Sequence, residues 1–87
     1  MIEKPASPRR IRGAGKRPPA SLVQSLGRRI RVLRAGRGWS QDVLAEIAGV
    51  HRNYIGRVER GEVNLSLAQL AKIARALEVS VGELVGE

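Results

Sequence analysis

Apolar residues recur along this chain at helical spacing, and no stretch alternates in the manner of a half-buried strand. Leu22, Leu26, Ile30 and Leu33 follow one another at intervals of four, four and three, which predicts a first helix ending near Gly36. Ser21 with Gln24 makes a capping-box pattern at its start, directly after Pro18 and Pro19. Ser40 is placed to cap a second helix, with Trp39 and Leu44 as its hydrophobic staple, and Gly49 ends it. A third helix is expected from about His51 to Glu59, stopped by Gly61. Two more capping boxes, Ser66 with Gln69 and Ser80 with Glu83, open a fourth and a fifth helix, and each has its own staple (Leu65 with Leu70, Val79 with Leu84). The fourth packs through Leu67, Leu70, Ile73, Ala74 and Leu77; the short fifth offers Val81, Leu84 and Val85. The expectation is an all-α, five-helix domain whose short connections keep neighbouring helices adjacent.

The segment from Gln41 to Arg60 carries more information than its surroundings. Small or apolar residues fall where two crossing helices must touch: Leu44, Ala45, Ala48, Val50, Ile55 and Val58. Ala45 has to be small because the third helix crosses close above it. Gly49 has to be glycine because the turn requires a left-handed backbone. Two short helices joined in this way hold one basic, polar helix outward, at a width that fits the major groove of DNA.

Charge agrees with that partner. The 87 residues carry 16 Lys and Arg against 8 Asp and Glu, a formal +8, and a sequence pI of about 11.5, a balance that points to a polyanion. Residues 1 to 20 hold all four prolines and the cluster Arg9, Arg10, Arg12, Lys16 and Arg17. They are expected to form a disordered basic arm, serving either as a tail or as a flexible arm along DNA. Residues 21 to 87 make up the folded domain. There is no cysteine, so disulfides and thiolate zinc sites are excluded. No apolar run approaches the ~20 residues of a membrane span, and no signal-peptide pattern is present, so a cytoplasmic protein without membrane association is expected. The single histidine, His51, has no clustered carboxylates to share a metal with, and neither a nucleophile nor a pair of catalytic carboxylates is in evidence. No cofactor, metal, small-molecule effector or enzymatic activity is expected.

The helix-turn-helix pattern, the run LRAGRGWSQ before it, YIGRVERGE across the third helix and NLSLAQLAKIARALEVSVGEL after it resemble the phage repressor and Cro family, also called the XRE family. The likeness covers about Leu22 to Val85. Within the family, the short form ending just after the fifth helix is similar to controller proteins of restriction-modification systems. Three positions depart from the pattern: Val43 stands where Glu is common, His51 where a Ser or Thr usually caps the third helix, and Gly56 inside that helix, where it costs up to ~1 kcal/mol relative to Ala.

The resemblance implies a lambda-repressor-like fold and a DNA-binding transcriptional regulator acting as a homodimer on a pseudo-palindromic operator. It also implies roles for particular residues. Arg52, Asn53 and Arg57 match positions that meet base edges, Arg suiting guanine and Asn adenine. Gln41 matches a phosphate contact, His51 is placed near a phosphate or base, and Arg60 near the backbone. Tyr54 either packs on the second helix or reaches a phosphate through its hydroxyl, and Arg57 has surface ion pairing as its plainer reading. Arg34 and Glu59 match a structural ion pair. Leu65, Val79, Val81, Leu84 and Val85 are the expected dimer interface, though the same side chains could close the monomer's core. The alternative function is an antitoxin or other protein-partner module that also binds its operator.

Overall fold

The computed structural model describes residues 20–86, which form five helices: α1 (Ala20–Gly36), α2 (Gln41–Ala48), α3 (Arg52–Glu59), α4 (Leu67–Leu77) and α5 (Val81–Val85). There is no strand among the described residues, and the all-α expectation holds. The basic arm expected over residues 1 to 20 lies almost entirely outside the described residues. Because α1 already includes Ala20, Ser21 sits within the helix rather than ahead of it.

One core serves all five helices. Ile30, Leu44, Ile55, Val58, Ile73, Leu77 and Leu84 are fully buried, and Ala45, Ala74 and Ala76 fill the closer approaches between helices. Helix α1 packs on α3 and α5, α2 on α3 and α4, and α4 on α5. Trp39, Leu65 and Val79, the residues ahead of the three serine caps, pack against this core as staples should.

The caps follow local chemistry. Ser40, Ser66 and Ser80 each accept a hydrogen bond on Oγ from the backbone N–H three residues on, at 3.2, 3.1 and 3.0 Å. Only the box at α5 closes in both directions, with Ser80 N–H donating to Glu83 Oε1 at 2.7 Å. The box expected at Ser66 is half formed: Gln69 does not reach back, and its Oε1 is buried without a partner among the described residues. Helix α4 ends on Glu78 in the left-handed conformation (φ 60°), a position usually given to glycine. Arg37 braces that end, donating to Leu77 O at 2.9 Å and Glu78 Oε1 at 3.2 Å, while its guanidinium lies 5.1 Å from the Trp39 ring.

Three expectations about apolar residues need correction. Leu22 and Leu67, assigned to core stripes, are 47% and 73% exposed, each standing in the first turn of its helix, where the apolar stripe is not covered. Leu84, offered as dimer surface, is completely buried and belongs to the protomer's own core.

Candidate nucleic-acid interface

The angle between α2 and α3 is set by backbone geometry at Gly49. Its φ is 76°, and its N–H donates to Ala45 O at 2.9 Å and Glu46 O at 3.3 Å, while Val50 N–H returns to Ala45 O at 3.0 Å. This closes α2 and redirects the chain within two residues. His51 then caps α3 in place of a Ser or Thr: its Nδ1 accepts from Asn53 N–H at 3.1 Å, which leaves Nε2 as the outward donor. The departure from the family pattern at this position is thus supplied by an imidazole nitrogen.

Beneath the pair lies a hydrogen-bonded set that spans three elements. Arg34 on α1 donates from Nε to Glu59 Oε2 at 2.6 Å and from Nη2 to Glu59 Oε1 at 3.1 Å, and its Nη1 reaches Trp39 O at 2.7 Å. Glu59 is 8% exposed, and the carboxylate beside it raises the Arg34 pKa above its ordinary value, chiefly through the hydrogen bond. Gln41 joins the same set, donating from Nε2 to Glu59 Oε1 at 3.0 Å. A carboxylate only accepts, so the amide nitrogen must face Glu59 and the Gln41 carbonyl must face away. The residue expected at a phosphate is therefore tied first to the buried ion pair, with one N–H left over.

Two glycines permit close contact beneath this arrangement. A Cβ at Gly27 would collide with Val58 O and come within 2.8 Å of Glu59 O, so α1 can cross the end of α3 only without a side chain there. Gly61 (φ 73°) would place a Cβ 2.8 Å from Gln24 Cγ.

On the outward side, Gln41, Asp42, Arg52, Asn53, Gly56, Arg57 and Arg60 line an open depression of about 450 Å³. The structure thus brings together all three residues expected to read bases and two of the four expected at phosphates. His51 is exposed at the start of α3, and Tyr54 is half-buried against the core. Burial of the Tyr54 phenol raises its pKa, opposed by the Arg57 charge, so its hydroxyl stays a donor. Gly56 forms the floor; a Cβ there would meet Arg60 Nη1 at 3.1 Å and Gln41 Oε1 at 3.5 Å.

Two carboxylates on this face were not singled out from sequence. Asp42 pairs with Arg52 (Oδ2 to Nη1, 3.3 Å), and Glu62 takes a two-pronged contact from Arg60 at 2.9 and 3.2 Å. The Arg60 hydrogen bond holds the Glu62 carboxyl below the usual carboxylate range. Among the described residues, the surface pairing considered for Arg57 falls instead on Arg52 and Arg60. Of Leu65, Val79, Val81 and Val85, the remaining residues of the expected dimer surface, all are half-buried. No cluster of three or more His, Asp or Glu suited to a metal occurs among the described residues, and none of their helices is long and apolar enough to cross a membrane.

The helix-turn-helix family model HTH_3 matches residues 30–84. The control protein C.SmaI of Serratia marcescens is 47% identical over 64 residues, covering 74% of this chain and 76% of that protein. The immunity repressor protein of Bacillus phage phi105 is 40% identical over 63 residues, and this chain spans only 44% of its length. Among solved structures, the restriction-modification controller protein C.AhdI of Aeromonas hydrophila superposes with a TM-score of 0.71 at 45% identity, covering 76% of this chain and 98% of that one. The turn at Gly49, the Arg34–Glu59 pair and these matches lead to one conclusion: the chain belongs to the HTH_3 helix-turn-helix family, the XRE group that includes phage repressors and controller proteins.

Proposed function

We propose that the chain is a sequence-specific, double-stranded DNA-binding transcriptional regulator that acts as a homodimer, with α3 of each protomer in the major groove of a pseudo-palindromic operator. The observation that carries this reading is the joint presentation of Arg52, Asn53 and Arg57 on the outward side of α3, at an angle fixed by Gly49 and the buried Arg34–Glu59 pair. Family membership and the similarity to controller proteins support the same reading.

Arg52, Asn53 and Arg57 read base edges. Gln41, through its remaining N–H, together with His51 Nε2, the Tyr54 hydroxyl and Arg60, seats the pair on phosphates. The dimer forms through Leu65, Val79, Val81 and Val85, continued by exposed Leu22, around an apolar depression that Leu22, Leu65 and Val85 help to line. A two-fold dimer sets the two α3 helices about 34–36 Å apart, one turn of the duplex.

Selection from a random duplex library, followed by binding against salt concentration, tests this. A consensus with two-fold symmetry is expected. Arg52→Ala or Asn53→Ala should relax preference at individual base pairs, whereas Gln41→Ala should weaken all sequences alike. Binding without any sequence preference would remove the proposal. A consensus lacking symmetry, together with a monomeric sedimentation profile, would remove its dimeric part.

A further inference from the structure

Asp42 is out of place electrostatically. It lines a depression whose other charged residues are Arg52, Arg57 and Arg60, the last paired with Glu62, and in the reading above that surface faces phosphates, which repel a carboxylate. Its position in the first turn of α2 favours the helix dipole, but that benefit would be the same if the side chain pointed elsewhere. Instead both of its oxygens lie toward Arg52 Nη1, at 3.4 and 3.3 Å, bridging the first turn of α2 to the first residue of α3. The two side chains are 62% and 65% exposed, so the pair adds little to stability.

Its geometry does something else. A guanidinium has three nitrogens, and Asp42 engages only Nη1. The edge formed by Nε and Nη2 takes no hydrogen bond among the described residues, and that edge is a two-pronged donor able to match guanine O6 and N7. An arginine with a free side chain would explore many rotamers and make contacts with any phosphate in reach. Tethered at Nη1, Arg52 presents one edge in one direction.

We propose that Asp42 is a positioning residue for Arg52: it orients the guanidinium so that its free edge reads one base pair, gaining discrimination at the expense of affinity for arbitrary DNA. This rests on the DNA-binding reading above. The same carboxylate repels the phosphates of any duplex, which lowers affinity for all sequences alike; the gain in discrimination comes from the orientation of Arg52 alone.

The test is a double-mutant cycle in the full chain with wild type, Asp42→Ala, Arg52→Ala and the double variant. Each is measured on the selected duplex, on the same duplex changed at the base pair whose preference Arg52→Ala relaxes, and on a random-sequence duplex. Asp42→Ala should lose about three- to tenfold of the discrimination at that base pair, out of the roughly 5- to 150-fold a bidentate contact provides, and should bind the random duplex more tightly by about two- to fivefold. In the Arg52→Ala background, removing Asp42 should change discrimination no further. Because Asp42 is exposed, its melting temperature should stay within a few degrees of wild type, which separates the effect from misfolding.

Tighter random binding with discrimination intact would reduce Asp42 to simple repulsion and overturn the proposal. An equal loss with or without Arg52 would make Asp42 a reader in its own right, accepting from a base amine, and would overturn it as well. If wild type shows no preference at any base pair, the DNA-reading function itself fails and this inference falls with it. That outcome is recognisable because Arg52→Ala then weakens all three duplexes alike and relaxes preference at no base pair.

Discussion

Glu59 and Glu62 each receive a two-pronged arginine contact at nearly the same distances, 2.6 and 3.1 Å from Arg34 and 2.9 and 3.2 Å from Arg60. What separates them is water: 3% of the Glu59 side chain is exposed against 50% of Glu62. Around Glu59 the pair is reinforced by Trp39 O and the Gln41 amide, so that α1, the start of α2 and the end of α3 are fastened together. Around Glu62 the pair joins two residues of one turn and holds no two helices to each other. The same chemistry therefore builds the framework in one place and adjusts a working surface in the other.

Breaking the buried pair should have the largest effect. Glu59→Ala leaves the Arg34 charge with 14% side-chain exposure and no carboxylate, and a cost of about 3–5 kcal/mol is expected. For a domain of this size that threatens folding altogether. Chemical denaturation followed by circular dichroism measures it. A loss below about 1 kcal/mol, the range of exposed pairs, would show that burial does not distinguish Glu59 from Glu62.

Next comes the contact that lets the framework close. Gly27→Ala would set a methyl against backbone oxygens of Val58 and Glu59, which cannot rotate aside, so α1 must move off α3. Overpacking of this kind costs about 1–3 kcal/mol. The melting temperature should fall and DNA binding with it, since the displaced residues carry the Arg34–Glu59 pair. An unchanged melting temperature would mean that α1 does not pack this closely.

How much of this was legible in the sequence depends on how local the cause is. Gly49 and the caps at Ser40, Ser66 and Ser80 were readable because a left-handed turn or an orphaned N–H is satisfied within a few residues, whereas Ser21 carried the same pattern and lies inside α1. His51 as a cap was not foreseen, although its Nδ1 does what a hydroxyl would. The Arg34–Glu59 pair spans 25 residues and entered only through family resemblance. Gly27 gave no signal, since a glycine within a helix pattern reads merely as a weak helix former; its reason is a crossing helix. Leu22 and Leu67 carried the correct periodicity without the cover, and periodicity cannot show where the neighbouring helix ends. For the site, Arg52, Asn53 and Arg57, the residues proposed to read bases, were legible as a polar face of α3. Asp42 and Glu62 were not, because their partners depend on how α2, α3 and the following turn are set in space.

Gly56 tests the boundary between framework and surface. Its added Cβ would meet only the tip of an exposed arginine at 3.1 Å and a glutamine oxygen at 3.5 Å, and both can yield. Gly56→Ala should therefore raise stability, by up to ~1 kcal/mol from helix propensity, while filling the floor of the depression. Tighter folding with weaker operator binding is the expected combination, read from paired thermal melts and binding curves. If stability drops instead, the glycine belongs to the framework.

The smallest effect on folding is expected at the exposed pair. Glu62→Gln removes a half-exposed partner, so the melting temperature should not move measurably, yet it frees Arg60 for phosphates and deletes a negative charge from the same face. Affinity for all duplexes should rise by a few fold, with the salt dependence steepened by up to about one unit. The pH dependence gives an independent check. Arg60 lowers the Glu62 pKa in the folded chain, so whatever the pair contributes to stability is present above the unfolded carboxylate value and is lost as pH falls through the depressed folded one. The difference in duplex affinity between wild type and Glu62→Gln should accordingly persist at neutral pH and vanish in acid, once the wild-type carboxyl is protonated. A difference that survives below the carboxylate range would have to come from the side chain's shape rather than its charge, and the contrast with Glu59 would then rest on packing alone.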